Sequence, residues 1–137
     1  MPMKSFRIIP IVFLFVASVM THAETTSPSP TAPEAPPGVD PKLTSTNPEY
    51  GYSKDNPIKV ESSSAQLLYL SKLRDEAGKP LRFKRAGSVG AGADDHVIDR
   101  YDVETSAGRK FMLYLDMYHP ESAGEKQLAP SGLFKRN

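Results

Sequence analysis

Asp116, Tyr118, His119 and Glu121, in the run D-M-Y-H-P-E, are the densest set of side chains in this sequence that could do chemistry. A carboxylate and an imidazole this close can share a metal ion or work as an acid–base pair. The spacing works against both. On an extended strand an odd separation puts Asp116 and His119 on opposite faces, and only a turn at Tyr118, which Pro120 favours, brings them together. A zinc centre also takes roughly three or four protein ligands, and this run supplies two. The competing reading makes Asp116 an acceptor of hydrogen bonds at a strand end and His119 a surface turn residue.

A second set is Asp94, Asp95, His96 and Asp99. Its acids beside glycines resemble a calcium loop in composition. The alternating ligands and distal glutamate of such a loop are missing, so a solvated loop is expected. Lys79, Arg82, Lys84 and Arg85 are a basic run in which Arg82 and Lys84 share one side. They offer a small anion patch, or cross-strand partners for Asp99, Asp102 and Glu104. Gly87, Gly90 and Gly92 lack the following helix and the Gly-Lys-Ser/Thr signature of a phosphate loop. No Gly-x-Ser-x-Gly nucleophile elbow occurs.

The elements that must position these groups are organised around the stretch 109–120. Phe111, Leu113, Leu115 and Met117 alternate with Met112, Tyr114, Asp116 and Tyr118, the period of a strand. Both faces are apolar enough to be partly covered. Residues 97–105 form a second strand in which Tyr101 and Val103 share a face. Ser106-Ala107-Gly108 joins the two as an antiparallel hairpin. Upstream, residues 81–85 alternate as another strand, followed by a flexible loop over 87–92. Ser63 and Gln66 have the form of a capping box, and the leucines that follow predict a helix over 63–77 with Leu67 and Leu70 facing the sheet. Leu133 and Phe134 suggest a last short edge strand. The expected fold class is α+β, one helix on a small antiparallel sheet of about four strands, in two layers.

Three regions divide the chain. In residues 1–23, Lys4 and Arg7 precede an apolar run that ends at Thr21-His22-Ala23. This is the pattern of a cleaved signal peptide. Residues 24–48 are rich in Pro, Ser and Thr and nearly devoid of large apolar side chains, so a disordered tether, dispensable for folding, is expected. Residues 49–137 are the domain. Without Lys4 and Arg7 the 17 Lys and Arg fall to 15, against 16 Asp and Glu. A chain so nearly neutral has no field to draw it to nucleic acid. Cysteine is absent, which removes disulfides, thiolate nucleophiles and the attachment point of a lipid anchor.

Tyr50-Gly51-Tyr52-Ser53 followed by Asn56-Pro57-Ile58-Lys59-Val60, then Phe83 to Ser88, Tyr101 to Val103, and Leu113 to Tyr118 as L-Y-L-D-M-Y, is a set that resembles a family of small bacterial exported proteins and lipoproteins. The resemblance spans the domain and implies an envelope location without naming catalytic residues. Relatives carry a lipobox cysteine and a cysteine after Gly-Ser; Val89 stands at the second position here, so neither lipid nor thiol chemistry transfers. Members often bear the label 2-dehydro-3-deoxyphosphooctonate aldolase. Such enzymes are barrels of about 250 residues, which residues 49–137 cannot form.

Two functions are therefore expected. The first is a non-enzymatic exported module on a tether, without a cofactor, binding an envelope protein or polymer. Its candidate surface is Asp116, Tyr118, His119, Arg82, Lys84 and His96. The second is a small hydrolase or metal-dependent enzyme using Asp116 and His119. Convergence of His96, His119 and Asp116 in one place favours the second.

Overall fold

The computed structural model describes residues 34–137. The expected signal peptide, 1–23, and the first part of the tether, 24–33, lie outside them. Strand β1 (Ile58–Lys59) is followed by helix α1 (Ser63–Lys72) and by β2 (Leu73–Arg74), β3 (Arg82–Ala91), β4 (Val97–Glu104), β5 (Lys110–Asp116) and β6 (Phe134–Lys135). Four strands make the main sheet in the order β1-β5-β4-β3, and β2 pairs with β6 in a small second sheet. This is the small α+β fold the periodicities predict. The hairpin is there too, with Tyr101 opposite Leu113 and Val103 opposite Phe111. The main sheet is mixed, because β1 joins β5 in parallel with Ile58 beside Leu115 and Lys59 beside Asp116.

Helix α1 starts where Ser62, not Ser63, caps it: the Ser62 hydroxyl accepts from the Ala65 amide at 3.2 Å. It stops at Lys72, short of the expected 77, because Leu73 and Arg74 are drawn into pairing with Lys135 and Phe134. Its buried stripe is Gln66, Tyr69 and Leu70, continued by Leu73, one turn-to-turn row at helical spacing. Leu67, expected on this face, is instead 53% exposed. Gln66 takes the inward place because its side-chain oxygen accepts from the Tyr101 hydroxyl at 3.0 Å. The core joins Tyr69, Leu70 and Leu73 to Ile58, Val60, Tyr101, Val103, Leu113, Leu115 and Leu133. A fully buried leucine such as Leu115 or Leu70 contributes roughly 1.5–3 kcal/mol.

Two expectations of looseness do not hold. Strand β3 runs on through the glycines expected to form a loop, with register shifts between Arg85 and Gly87 and between Ser88 and Ala91. Bulges let a strand absorb glycines without ending. The end of the expected tether is also held on the domain. Pro41–Leu43 is a turn of 3-10 helix, the Ser45 amide donates to Ala129 O at 2.7 Å and the Ala129 amide to Leu43 O at 2.6 Å. Thr44 Oγ1 donates to Leu133 O at 3.0 Å. These bonds are made by the backbone and one hydroxyl, which an apolar-content argument does not weigh.

Gly51 shows why the Tyr-Gly-Tyr opening is constrained. Its φ is +79°, and a Cβ there would meet Ile58 Cδ1 at 2.8 Å and Pro130 Cγ at 2.9 Å. Only glycine fits both the backbone and the space.

Candidate metal centre

Four ligand-type side chains meet at one end of the main sheet. β4 begins there, β1 and β5 end there, and the β3–β4 turn crosses over it. The ligating atoms of Asp94, His96, Asp116 and His119 all lie within 4.8 Å of one another.

Asp116 is the last residue of β5 and is 1% exposed. Its Oδ1 accepts from the Tyr118 amide at 3.0 Å. This side-chain turn ends the strand, so the odd-spacing argument fails for the residues beyond it. The chain then folds beside β1: the Val60 amide donates to Asp116 O at 2.8 Å and the His119 amide to Val60 O at 3.2 Å. The two pairings deliver His119 back over Asp116, with Nε2 2.9 Å from Asp116 Oδ2. His119 is buried, at 6% exposure, and is not the surface turn residue expected. On its other side Nδ1 lies 2.6 Å from Glu121 Oε1.

The β3–β4 turn supplies the other pair. Its geometry needs Asp95 at φ +58°, a left-handed conformation that Asp tolerates. It also needs Gly92, where a Cβ would meet Ile98 Cδ1 at 2.8 Å and Lys54 O at 3.2 Å. The Gly92 amide closes the turn on His96 O at 2.9 Å. His96 Nδ1 then lies 3.1 Å from Asp116 Oδ2, and Asp94 Oδ2 lies 3.5 Å from His119 Nε2. The His96 and His119 rings meet edge to face, 5.0 Å between centroids, and Tyr118 lies 5.5 Å from His96 on the outside. Asp94 also pairs with the ammonium of Lys59.

Electrostatics in the cluster follow from these contacts. Burial pushes the His119 imidazolium toward losing its proton, but the carboxylates of Glu121 and Asp116 outweigh it and its pKa is raised. Carboxylates only accept hydrogen bonds. With one beside each ring nitrogen, the surroundings favour the protonated ring. The hydrogen bond from Lys59 holds the Asp94 carboxyl below its usual range, and that from His119 does the same for Glu121.

The donor set fits a metal ion on three counts. A tetrahedral ion with bonds of about 2.0–2.2 Å sets its ligand atoms about 3.3–3.6 Å apart; of the separations 2.9, 3.1 and 3.5 Å, the last falls in that range and the other two are within about 0.4 Å of it. Closing the longest separations falls to Asp94 and His96, the two exposed or half-exposed members. Third, Glu121 on His119 Nδ1 fixes the tautomer that frees Nε2 to ligate, an arrangement typical of metal-bound histidine.

Of the residues singled out in the sequence, Asp116, His119 and His96 come together, with Tyr118 beside them and Asp94 added. Arg82 and Lys84 do not join them. They lie at the opposite end of the sheet, where Arg82 donates to Glu104 at 2.6 Å and Lys84 is opposite Asp102. Arg85 grips Asp99 at 3.0 and 2.6 Å. Cross-strand ion pairing thus accounts for Arg82 and Arg85. Lys59 is the participant that sequence reasoning missed. Nothing local marks it, because its place depends on the parallel pairing of β1 with β5.

Comparison with protein-family models, curated proteins and solved structures yields no match to this chain.

Proposed function

We propose that this chain is an exported envelope protein whose domain binds a divalent transition-metal ion through Asp94, His96, Asp116 and His119. The observation that carries the reading is the convergence of two imidazoles and two carboxylates within 4.8 Å, drawn from two separate parts of the chain. Imidazole with carboxylate suits zinc and its neighbours, whereas magnesium and calcium take oxygen-only sets. Export is supported by the signal-peptide pattern of residues 1–23 and by the resemblance to exported proteins, whose L-Y-L-D-M-Y motif contains Asp116. This keeps a binding role for the tethered module and gives it a ligand.

A metal-dependent hydrolase is the second reading, favoured by the convergence of His96, His119 and Asp116 and by one further observation. Asp116 and His119 are buried while Asp94 is exposed and His96 half-exposed, so an ion held from below has an outer side that water can reach. Catalytic zinc keeps three protein ligands and an open position, so this reading needs one of the outer donors, Asp94 or His96, to leave the ion.

Calorimetric titration of the purified chain with zinc chloride tests the binding reading. One saturable site is expected, weakened at least about tenfold by His119→Ala or Asp116→Asn, with circular dichroism confirming that each variant is folded. Absence of saturable binding by the wild type overturns it. Zinc-dependent cleavage of a nitrophenyl ester, lost in His119→Ala, would promote the second reading over the first.

A further inference from the structure

We infer that Lys59 is a built-in competitor for the metal ion, so that binding at this centre is an exchange of one cation for another; the inference rests on the metal reading above. Lys59 ends β1 in register with Asp116, and its ammonium is bonded to Asp94 Oδ2. That same oxygen is the Asp94 atom 3.5 Å from His119 Nε2. The Asp94 oxygen that lies nearest His119 is thus the one that Lys59 holds, so an ion drawing on both competes with Lys59 for it.

The pair is made to be released. The two side chains are 46% and 41% exposed, and exposed ion pairs are weak, so Lys59 can swing to solvent on its flexible stem. Asp116 and His119, by contrast, are themselves buried and bonded to each other, with further bonds to the Tyr118 amide and to Glu121. The exchange thus falls on the side of the centre that faces water. Lys59 places a positive charge directly on Asp94, and once displaced it remains a like charge close to the ion.

The test is zinc chloride titration of the full chain, comparing wild type with Lys59→Met and Lys59→Arg. Lys59→Met keeps the aliphatic stem and removes the charge. It is expected to bind zinc roughly three- to thirtyfold more tightly, from loss of the competing pair and of the repulsion. Lys59→Arg keeps the charge and is expected within about twofold of wild type. Added salt should narrow the gap between Met and wild type, because the pair is exposed. Equal or weaker binding by Lys59→Met removes Lys59 from the metal equilibrium while leaving the centre standing. If neither form binds zinc, the metal reading itself falls and this inference with it. Should Lys59→Met fold poorly, Lys59→Gln carries the same comparison.

Discussion

His119 carries more of this structure than its place in a turn suggests. Its ring fills a buried position between Glu121 and Asp116, and the Asp116 carboxylate is itself buried. Removing the ring leaves Asp116 with His96 as its one remaining imidazole partner, and breaking a buried hydrogen bond to a charged group costs about 1–3 kcal/mol. Metal-free His119→Ala is accordingly expected to lose about that much stability in urea denaturation, well beyond the roughly 0.5 kcal/mol of an ordinary surface change. A loss inside that smaller margin would return His119 to the surface role that the sequence suggested. The residue types of the centre were legible before its geometry was. Asp116, His119 and His96 stand out by chemistry alone, but strand alternation was carried two residues too far. The turn at Tyr118 that the sequence offered as the one way to join them is made by Asp116 Oδ1 and the Tyr118 amide. It is a side-chain event, which a count of faces along a strand does not register.

Between elements, the contacts that were read correctly are local and those that were missed are distant in sequence. The β4–β5 hairpin follows from alternation and a short turn. The β1–β5 pairing joins Ile58 to Leu115 across the whole helix and three strands, and β2–β6 joins Leu73 to Lys135; neither leaves a mark in any short window. Asp75 is another such tie. It is 3% exposed and accepts from the amides of Ala77, Lys79 and Ser106 and from the Ser106 hydroxyl. It thereby fastens the turn before β3 to the turn between β4 and β5. Burial works to raise its pKa, but these hydrogen bonds prevail and hold it below the usual carboxylate value. Asp99 is lowered too, chiefly by its hydrogen bond from Arg85. Carboxyls depressed in the folded state stabilise fully above their unfolded pKa, near 4. That contribution is lost as pH falls through the lower folded values. The wild type should therefore lose stability on acidification below about pH 4, and Asp75→Ala should lose less over the same range. At pH 7 the variant should already be about 2–4 kcal/mol less stable, because several buried amides lose one acceptor. Thermal melts from pH 2 to 7 check both. An unchanged acid slope in the variant would show that Asp75 is not the titrating group.

For the molecule as a whole, the boundary between tether and domain moves. Residues 39–45 pair with residues 129, 133 and 136, and Ser45 is buried. A chain beginning at residue 49 should therefore melt more than about 5 °C below one beginning at residue 24, the shift that roughly 1 kcal/mol produces in a domain of this size. Equal melting temperatures would mean that the segment is only a spacer. Composition could not reveal this, since the segment is held by amides and a threonine hydroxyl and not by apolar side chains. One further property of the sheet bears on the protein in a crowded compartment. The main sheet has a two-residue strand at one edge and the long β3 at the other. A long bare edge is a template on which a second chain can polymerise. Here Arg82, Lys84 and Arg85 charge it, and two register shifts keep it from lying flat. Charges and bulges are the means by which sheet proteins avoid joining edge to edge. The basic run that opened as a possible anion patch is thus also the charge carried by the open edge of the sheet.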